Sequence, residues 1–245
     1  MKVLYQPKGR AGEYAGWALN VALGCPHGCV FCYAPKCLHM TREKFRTNLA
    51  PRTAMVGKYL NADCQTLATR EPGATVFMSF FCDPFGTERI ATLTGWVLSV
   101  IAGEGLRPRI LTKQGAIVQG YIAQLAATAA EVGVSLNNLF PSKWEPYAPP
   151  PVERVKTLEL AHDAGLYTWV SVEPTIDPAQ ALQMMKSLVP CGIVNEWRVG
   201  KLNHFPEIAD KVDWKAYYLE ASKVLAGQKI YWKKDLLEAA GVCHS

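Results

Sequence analysis

GCPHGCVFCYAP occupies residues 24–35 and places Cys25, Cys29 and Cys32 on one short loop, with Gly24 and Gly28 among them and Phe31 just before the last thiol. The run before it, WALNVAL (17–23), alternates and stops at Gly24, which reads as a strand delivering its chain into that loop. Similar β-branched or apolar runs recur at ATVFMSFF (74–81), RPRILT (107–112), VGVSLN (132–137), LYTWVSV (166–172) and GIVNEWRV (192–199). With the first, they make six predicted strands.

Helical patterns fill the gaps. TERIATLTGWVLSVIAGEG (87–105) sets Ile90, Leu93, Val97, Leu98 and Ile101 on one face, and GAIVQGYIAQLAATAAE (115–131) does likewise. PVERVKTLELAHDAG (151–165) opens with Pro151 suited to the first helical position, carries Val152, Val155, Leu158 and Ala161 as its stripe, and stops at Gly165. PAQALQMMKSL (178–188) is another. Strands alternating with helices imply βαβ units, right-handed crossovers and a parallel sheet, open or closed into a barrel. Function then gathers at the C-terminal strand ends. The Pro-rich KWEPYAPPP (143–151) is short and reads as a surface loop, so residues 1–245 are expected to form one domain, a core of about 15–200 with an extension of about 201–245.

The 245 residues are 49% hydrophobic and 19% charged, a globular composition without an apolar run long enough to span a membrane. The N-terminal MKVLYQPKGRAGEYAG has no apolar h-region, so the expected location is cytoplasmic. In a reducing compartment clustered thiols read as ligands or catalytic groups rather than disulfides. Of the eight cysteines, Cys64, Cys191 and Cys243 are scattered and expected to be buried or unpaired. The net charge of +5 permits an anionic partner, although no run of five basic residues demands one.

Two metal chemistries suit the loop. A structural zinc wants four ligands, and Cys37, His27 or His39 would have to supply the fourth. A [4Fe–4S] cube also normally takes four thiolates, and three leave one iron open to a substrate or cofactor. The residues alone leave both open.

The spacing C-x3-C-x-(aromatic)-C after a first strand resembles the signature of radical S-adenosylmethionine (SAM) enzymes. GRAGEYAGWALNVALGCPHGCVFCYAP, DPFGTE, ILTK and WEPYAPPPVERVKTLELAHDAGLYTWVSVEPTIDP further resemble the spore photoproduct lyase-like branch, over residues 5–200. The resemblance implies an α/β fold, a partial (β/α)6 barrel with a short C-terminal α extension. It implies a [4Fe–4S] cluster on Cys25, Cys29 and Cys32, with S-adenosylmethionine chelating the fourth iron and cleaved reductively to a hydrogen-abstracting 5′-deoxyadenosyl radical. A low-potential donor of flavodoxin or ferredoxin type would supply the electron, and a nucleobase or nucleic acid is the first substrate class it suggests.

By position, Phe31 matches the residue that meets adenine, and Lys113 the lysine that contacts the methionine carboxylate. Ser135, with Asn137 two residues on along the same strand face, is placed toward ribose or methionine. Ser79 and Asp83 flank the second strand end, where relatives bind the methionine amino group. Glu173 would meet ribose or substrate, or pair with a lysine. Cys82 stands where the branch usually has threonine, and is either a packing thiol or the donor that returns hydrogen to a product radical. The competing class is a zinc-stapled nucleic-acid-binding module without catalysis, which leaves Lys113, Ser135 and Glu173 without a role.

Overall fold

Seven parallel strands, each paired with its neighbours in chain order, carry the computed structural model, which describes residues 1–242. They are β1 (Trp17–Leu19), β2 (Thr75–Met78), β3 (Arg107–Thr112), β4 (Glu131–Ser135), β5 (Thr168–Thr175), β6 (Glu196–Lys201) and β7 (Ile230–Trp232). Between them run α1 (Thr53–Arg70), α2 (Glu88–Gly103), α3 (Ile122–Ala127), α4 (Pro151–Asp163), α5 (Pro178–Leu188) and α6 (Trp214–Val224), with α7 (Lys234–Ala240) after β7. Among the seven strands β1 pairs with β2 alone, its other edge meeting Tyr5 in an isolated antiparallel bridge, and β7 with β6 alone, so the sheet curls without closing into a barrel. Among the described residues, no helix is long and apolar enough to cross a membrane.

The expected α/β half-barrel is present, with one correction to its strand count. The region assigned to a purely α-helical extension contributes the seventh strand, Ile230–Trp232, which pairs with Trp197–Val199. Three partly buried residues make an apolar run too short to show an alternation. The first strand is shorter than expected. Asn20 interrupts it by accepting from the backbone N–H groups of Phe80 and Phe81 and donating to Tyr5 Oη, and Ala22–Leu23 then pair with Ala50–Pro51 instead. The pattern at 115–131 is broken at Gly120, with only Ala116–Gln119 and Ile122–Ala127 helical.

The predicted face of α2 is buried throughout, and Pro151 opens α4 as expected. The α4 stripe needs a correction: Val152 is exposed, while Arg154 lies fully inside. Its guanidinium finds buried oxygen acceptors on other elements, which a periodicity argument treats as absent.

Strand alternation divides the core into layers. Outward-facing Val76, Met78, Ile110 and Val132 pack under α1 and α2, and Val170, Val172, Trp197 and Val199 under α5 and α6. Inside the curl, Ala18, Phe77 and Trp169 form a small core with Tyr14, Phe80 and Leu111. Gly133 makes room for Trp169, since a Cβ there would stand 2.1 Å from the indole. This plug leaves two polar mouths, one at each end of the strands. Cys64 is buried and Cys191 exposed, neither in a disulfide, and Cys243 lies outside the described residues.

Candidate functional site

The cysteine loop leaves the sheet after β1 and is clamped from both sides. On its outer side the short helix Arg42–Thr47 packs against it: Cys25 N–H donates to Phe45 O (3.0 Å), and Arg42 Nη1 donates to the carbonyls of Cys29 and Cys32 (3.0 Å each). On another side stands the Pro-rich loop. Val30 N–H donates to Trp144 O and Tyr147 N–H to His27 O, so this loop covers the cysteines as well as facing solvent. Gly28 has φ +59°, and a Cβ there would meet the Tyr147 ring at 2.7 Å; only glycine meets both demands.

Asp83 is the strut on the barrel side. Its Oδ2 accepts from His27 Nε2 (2.9 Å) and Lys113 N–H (2.7 Å), and its Oδ1 from Thr112 Oγ1 (2.7 Å) and Phe85 N–H (2.9 Å). Burial would raise its pKa, but the His27 charge and these hydrogen bonds hold it below the usual carboxylate range. Asp83 thus ties the middle of the cysteine loop to the end of β3. His27, considered from sequence only as a zinc ligand, is buried and turned to this carboxylate.

Lys113 follows β3. Its Nζ lies 5.5 Å from the centroid of Phe31 and 3.4 Å from Glu145 Oε1. Glu145 in turn holds Arg154 Nη2 at 2.5 Å, and Arg154 also donates to the carbonyls of Ser135 and Pro149. Burial alone would raise the Glu145 pKa, but Lys113 and Arg154 hold it below normal. Lys113, beside Phe31 of the cysteine loop, is therefore linked to Ser135 by two residues, Glu145 and Arg154, that sequence patterns gave no reason to select.

The three thiols are free. Burial, with repulsion from Asp83 and the other two cysteines, pushes Cys25 well up. Burial raises Cys29 to about 12 and also raises Cys32, with Lys113 opposing the shift at both. Cys37 is exposed. Among the described residues, no set of three or more His, Cys, Asp or Glu side chains converges to hold one metal ion.

The other expected residues fall nearby or into a second cluster. Ser79 Oγ is buried beside the Cys82 thiol and, among the described residues, meets no nitrogen or oxygen partner. Asn137 Nδ2 donates to Pro174 O, and its Oδ1 accepts from Asn138. Glu173 Oε2 accepts from Tyr14 Oη (2.7 Å) and lies 3.5 Å from the fully buried Lys233, as in the lysine-pairing reading. Lys233 also meets Glu13 at 3.2 Å and sits over the Tyr14 ring, 4.1 Å from its centroid. Burial raises the Glu173 pKa in spite of Lys233. Tyr14, Glu13 and Lys233 gave no signal in sequence, because they meet only when the ends of β5 and β7 do. Cys82 belongs to the apolar cluster that includes Val21, Ala22 and Phe85, and burial raises its pKa to about 12, which keeps it as S–H.

A cavity of about 520 Å³ opens at the opposite, N-terminal mouth. Its charges are paired among themselves: Arg109 with Glu131 (2.5 Å) and Glu196 (2.8 Å), and Arg198 with Glu196 (2.6 Å). Burial opposes ionisation of Glu196, yet Arg109 and Arg198 bring its pKa to about 2. Its folded pKa is depressed, so its contribution is complete above the unfolded value near 4.5 and disappears as pH falls toward 2. Glu196→Gln should therefore flatten the acid limb of stability between pH 4.5 and 2, removing about 1–2 kcal/mol after allowance for solvent screening. Urea titrations across that range measure it, and an unchanged acid limb would refute the assignment.

The open parallel half-barrel, with three cysteines on the loop after its first strand, has the fold of its structural neighbours spore photoproduct lyase and SuiB. No family model matches the chain. Among curated proteins it is similar to the uncharacterized protein ORF301 of Acidianus two-tailed virus, 27% identical over 254 residues, covering 98% of this chain and 82% of that one. Among solved structures, spore photoproduct lyase complexed with dinucleoside spore photoproduct superposes with a TM-score of 0.69 at 13% identity, over 95% of this chain and 80% of that one. A lyase double mutant with bound AdoMet and the same dinucleoside gives 0.65 at 14%, over 93% and 65%. SuiB of Streptococcus suis bound to S-adenosylmethionine gives 0.63 at 13%, over 93% and 53%. The chain thus spans just under two thirds of one lyase chain and about half of SuiB.

Proposed function

We propose that the protein is a radical SAM enzyme, with Cys25, Cys29 and Cys32 holding a [4Fe–4S] cluster and Lys113 facing the cofactor's methionine carboxylate. One observation carries the reading: three free thiols, one buried and two partly so, on a doubly clamped loop lie beside a lysine whose ammonium pairs with Glu145, itself held by Arg154. Each thiolate of a cube binds a different iron, so the set need not converge on one point.

Bound together, the cluster and S-adenosylmethionine supply a one-electron cleavage that yields a hydrogen-abstracting 5′-deoxyadenosyl radical. The chain's own contribution is placement. Asp83 and His27 fix the loop against β3. Lys113 balances a carboxylate, as an ammonium does most strongly where water is scarce. Phe31 offers a flat apolar face beside Lys113, and Ser135 and Asn137 lie on the same face of their chain segment. Cys82, kept protonated, is in the form a hydrogen-atom donor needs. For substrate, we propose a nucleobase or nucleic acid, on the likeness to a lyase that holds a dinucleoside photoproduct and on the positive net charge.

Reconstituted, reduced protein should release 5′-deoxyadenosine from S-adenosylmethionine in the absence of oxygen, as followed by chromatography. Lys113→Ala should raise the cofactor's dissociation constant about 10- to 150-fold, the loss of one charge-assisted contact. No cleavage under strongly reducing conditions would overturn the proposal.

A further inference from the structure

The cavity at the N-terminal mouth lies on the far side of the Phe77–Trp169 plug from the cysteine loop. Four cations line it, Arg107, Arg109, Arg198 and Lys229, against three carboxylates, Glu71, Glu131 and Glu196. The ion pairs there leave positive charge over. Glu196 is shared by three of the cations, with Arg109 at 2.8 Å, Arg198 at 2.6 Å and Lys229 at 3.6 Å. Glu71 accepts from the Trp17 indole N–H at 2.9 Å and pairs with none of the four. Arg107 spends its Nε–H on the Gly73 carbonyl (2.9 Å) and has no carboxylate partner among the described residues. Arg109 is buried, and its Nε–H has no acceptor among the described residues.

From these observations we infer that the N-terminal mouth binds a small organic anion by its phosphate or carboxylate end, at a site separate from the one on the cysteine loop. The guanidinium groups are already oriented. Arg109 stands 4.2 Å from the centroid of Trp169, and Arg198 4.6 Å from that of Tyr231. Both are buried and so partly stripped of water, while Arg107 and Lys229 stand exposed at the rim. An oxyanion that enters between rim and floor exchanges water for charge-assisted hydrogen bonds from donors fixed in advance, which are the stronger kind. The volume, about 520 Å³, falls within the range of about 300–1,000 Å³ usual for small-molecule pockets and leaves room for more than a bare ion. Trp17 and Tyr231 in its wall offer rings to the organic part. This inference stands independently of the radical SAM reading, since none of its residues belongs to the cysteine mouth.

The test is titration calorimetry of the full chain with three probes at millimolar concentration: inorganic phosphate, citrate and adenosine 5′-monophosphate. At least one should bind, and phosphate against citrate tells which oxyanion the mouth takes. Arg107→Gln/Lys229→Gln, which alters only exposed side chains, should weaken that binding about 10- to 100-fold, the loss of two charge-assisted contacts at a solvated rim. Lys58→Gln/Lys215→Gln removes the same charge from exposed positions outside the cavity and should leave binding at the parent level. Lys113→Ala, at the opposite mouth, should do the same. No binding of any probe would overturn the inference and leave the cluster as an ion-pair network that only joins the strands. Equal weakening in both double variants would overturn it too, by making the effect one of net charge. Loss in Lys113→Ala with binding intact in Arg107→Gln/Lys229→Gln would move the anion to the cysteine mouth and equally refute it.

Discussion

Asp83→Ala should destabilise the protein by about 3–5 kcal/mol, because it takes a buried acceptor from several donors at once. The carboxylate accepts from four donors, all buried or nearly so: His27 Nε2, Phe85 N–H, Thr112 Oγ1 and Lys113 N–H. Alanine leaves each without an acceptor in a place water reaches poorly, and each orphan costs about 1–3 kcal/mol before relaxation. Asp83→Asn should fall between the two. Its single carbonyl keeps the Thr112 and Phe85 bonds, while its amide points a donor at two others. Denaturant unfolding of the cluster-free chain measures both, and a loss below about 1 kcal/mol for alanine would mean that Asp83 is not the strut described.

Arg154→Leu should also cost about 3–5 kcal/mol, for a related reason. It strips Glu145 of its closer partner and leaves the Ser135 and Pro149 carbonyls unpaired. Glu145 would then hold Lys113 alone, at the expense of a carboxylate from the cofactor, so cofactor affinity should fall with stability. The double variant Arg154→Leu/Glu145→Leu should be more stable than Arg154→Leu, because removing both charges leaves less that is buried and unpaired. If the two substitutions simply add, the three side chains do not act as a unit.

These two residues also mark the limit of what the sequence revealed. β3 was legible to the residue, and α2 to its buried face, because a six-residue strand between loop signals and a sixteen-residue helical stripe are long enough to be read. β7 was not, since three half-buried residues are too few. The cysteine loop was legible because its chemistry is local. Asp83 was picked out by its place at a strand end, yet its role depends on His27, 56 residues away, and Thr112, 29 away. Arg154 reads as solvated on any helical wheel, and only the fold supplies Glu145, Ser135 and Pro149. The same holds for Lys233, whose partners Glu13 and Glu173 lie 220 and 60 residues before it. Long-range polar pairs of this kind leave no periodic trace.

The central claim is that Cys25, Cys29 and Cys32, and no fourth cysteine, hold a [4Fe–4S] cluster. Anaerobic reconstitution followed by iron and sulfide analysis tests it most directly. The protein should turn brown with about four irons and four sulfides per chain. Cys25→Ala, Cys29→Ala and Cys32→Ala should each lose them, and Cys37→Ala should keep them. A colourless protein carrying zinc, or a Cys37→Ala variant that loses its iron, would contradict the account.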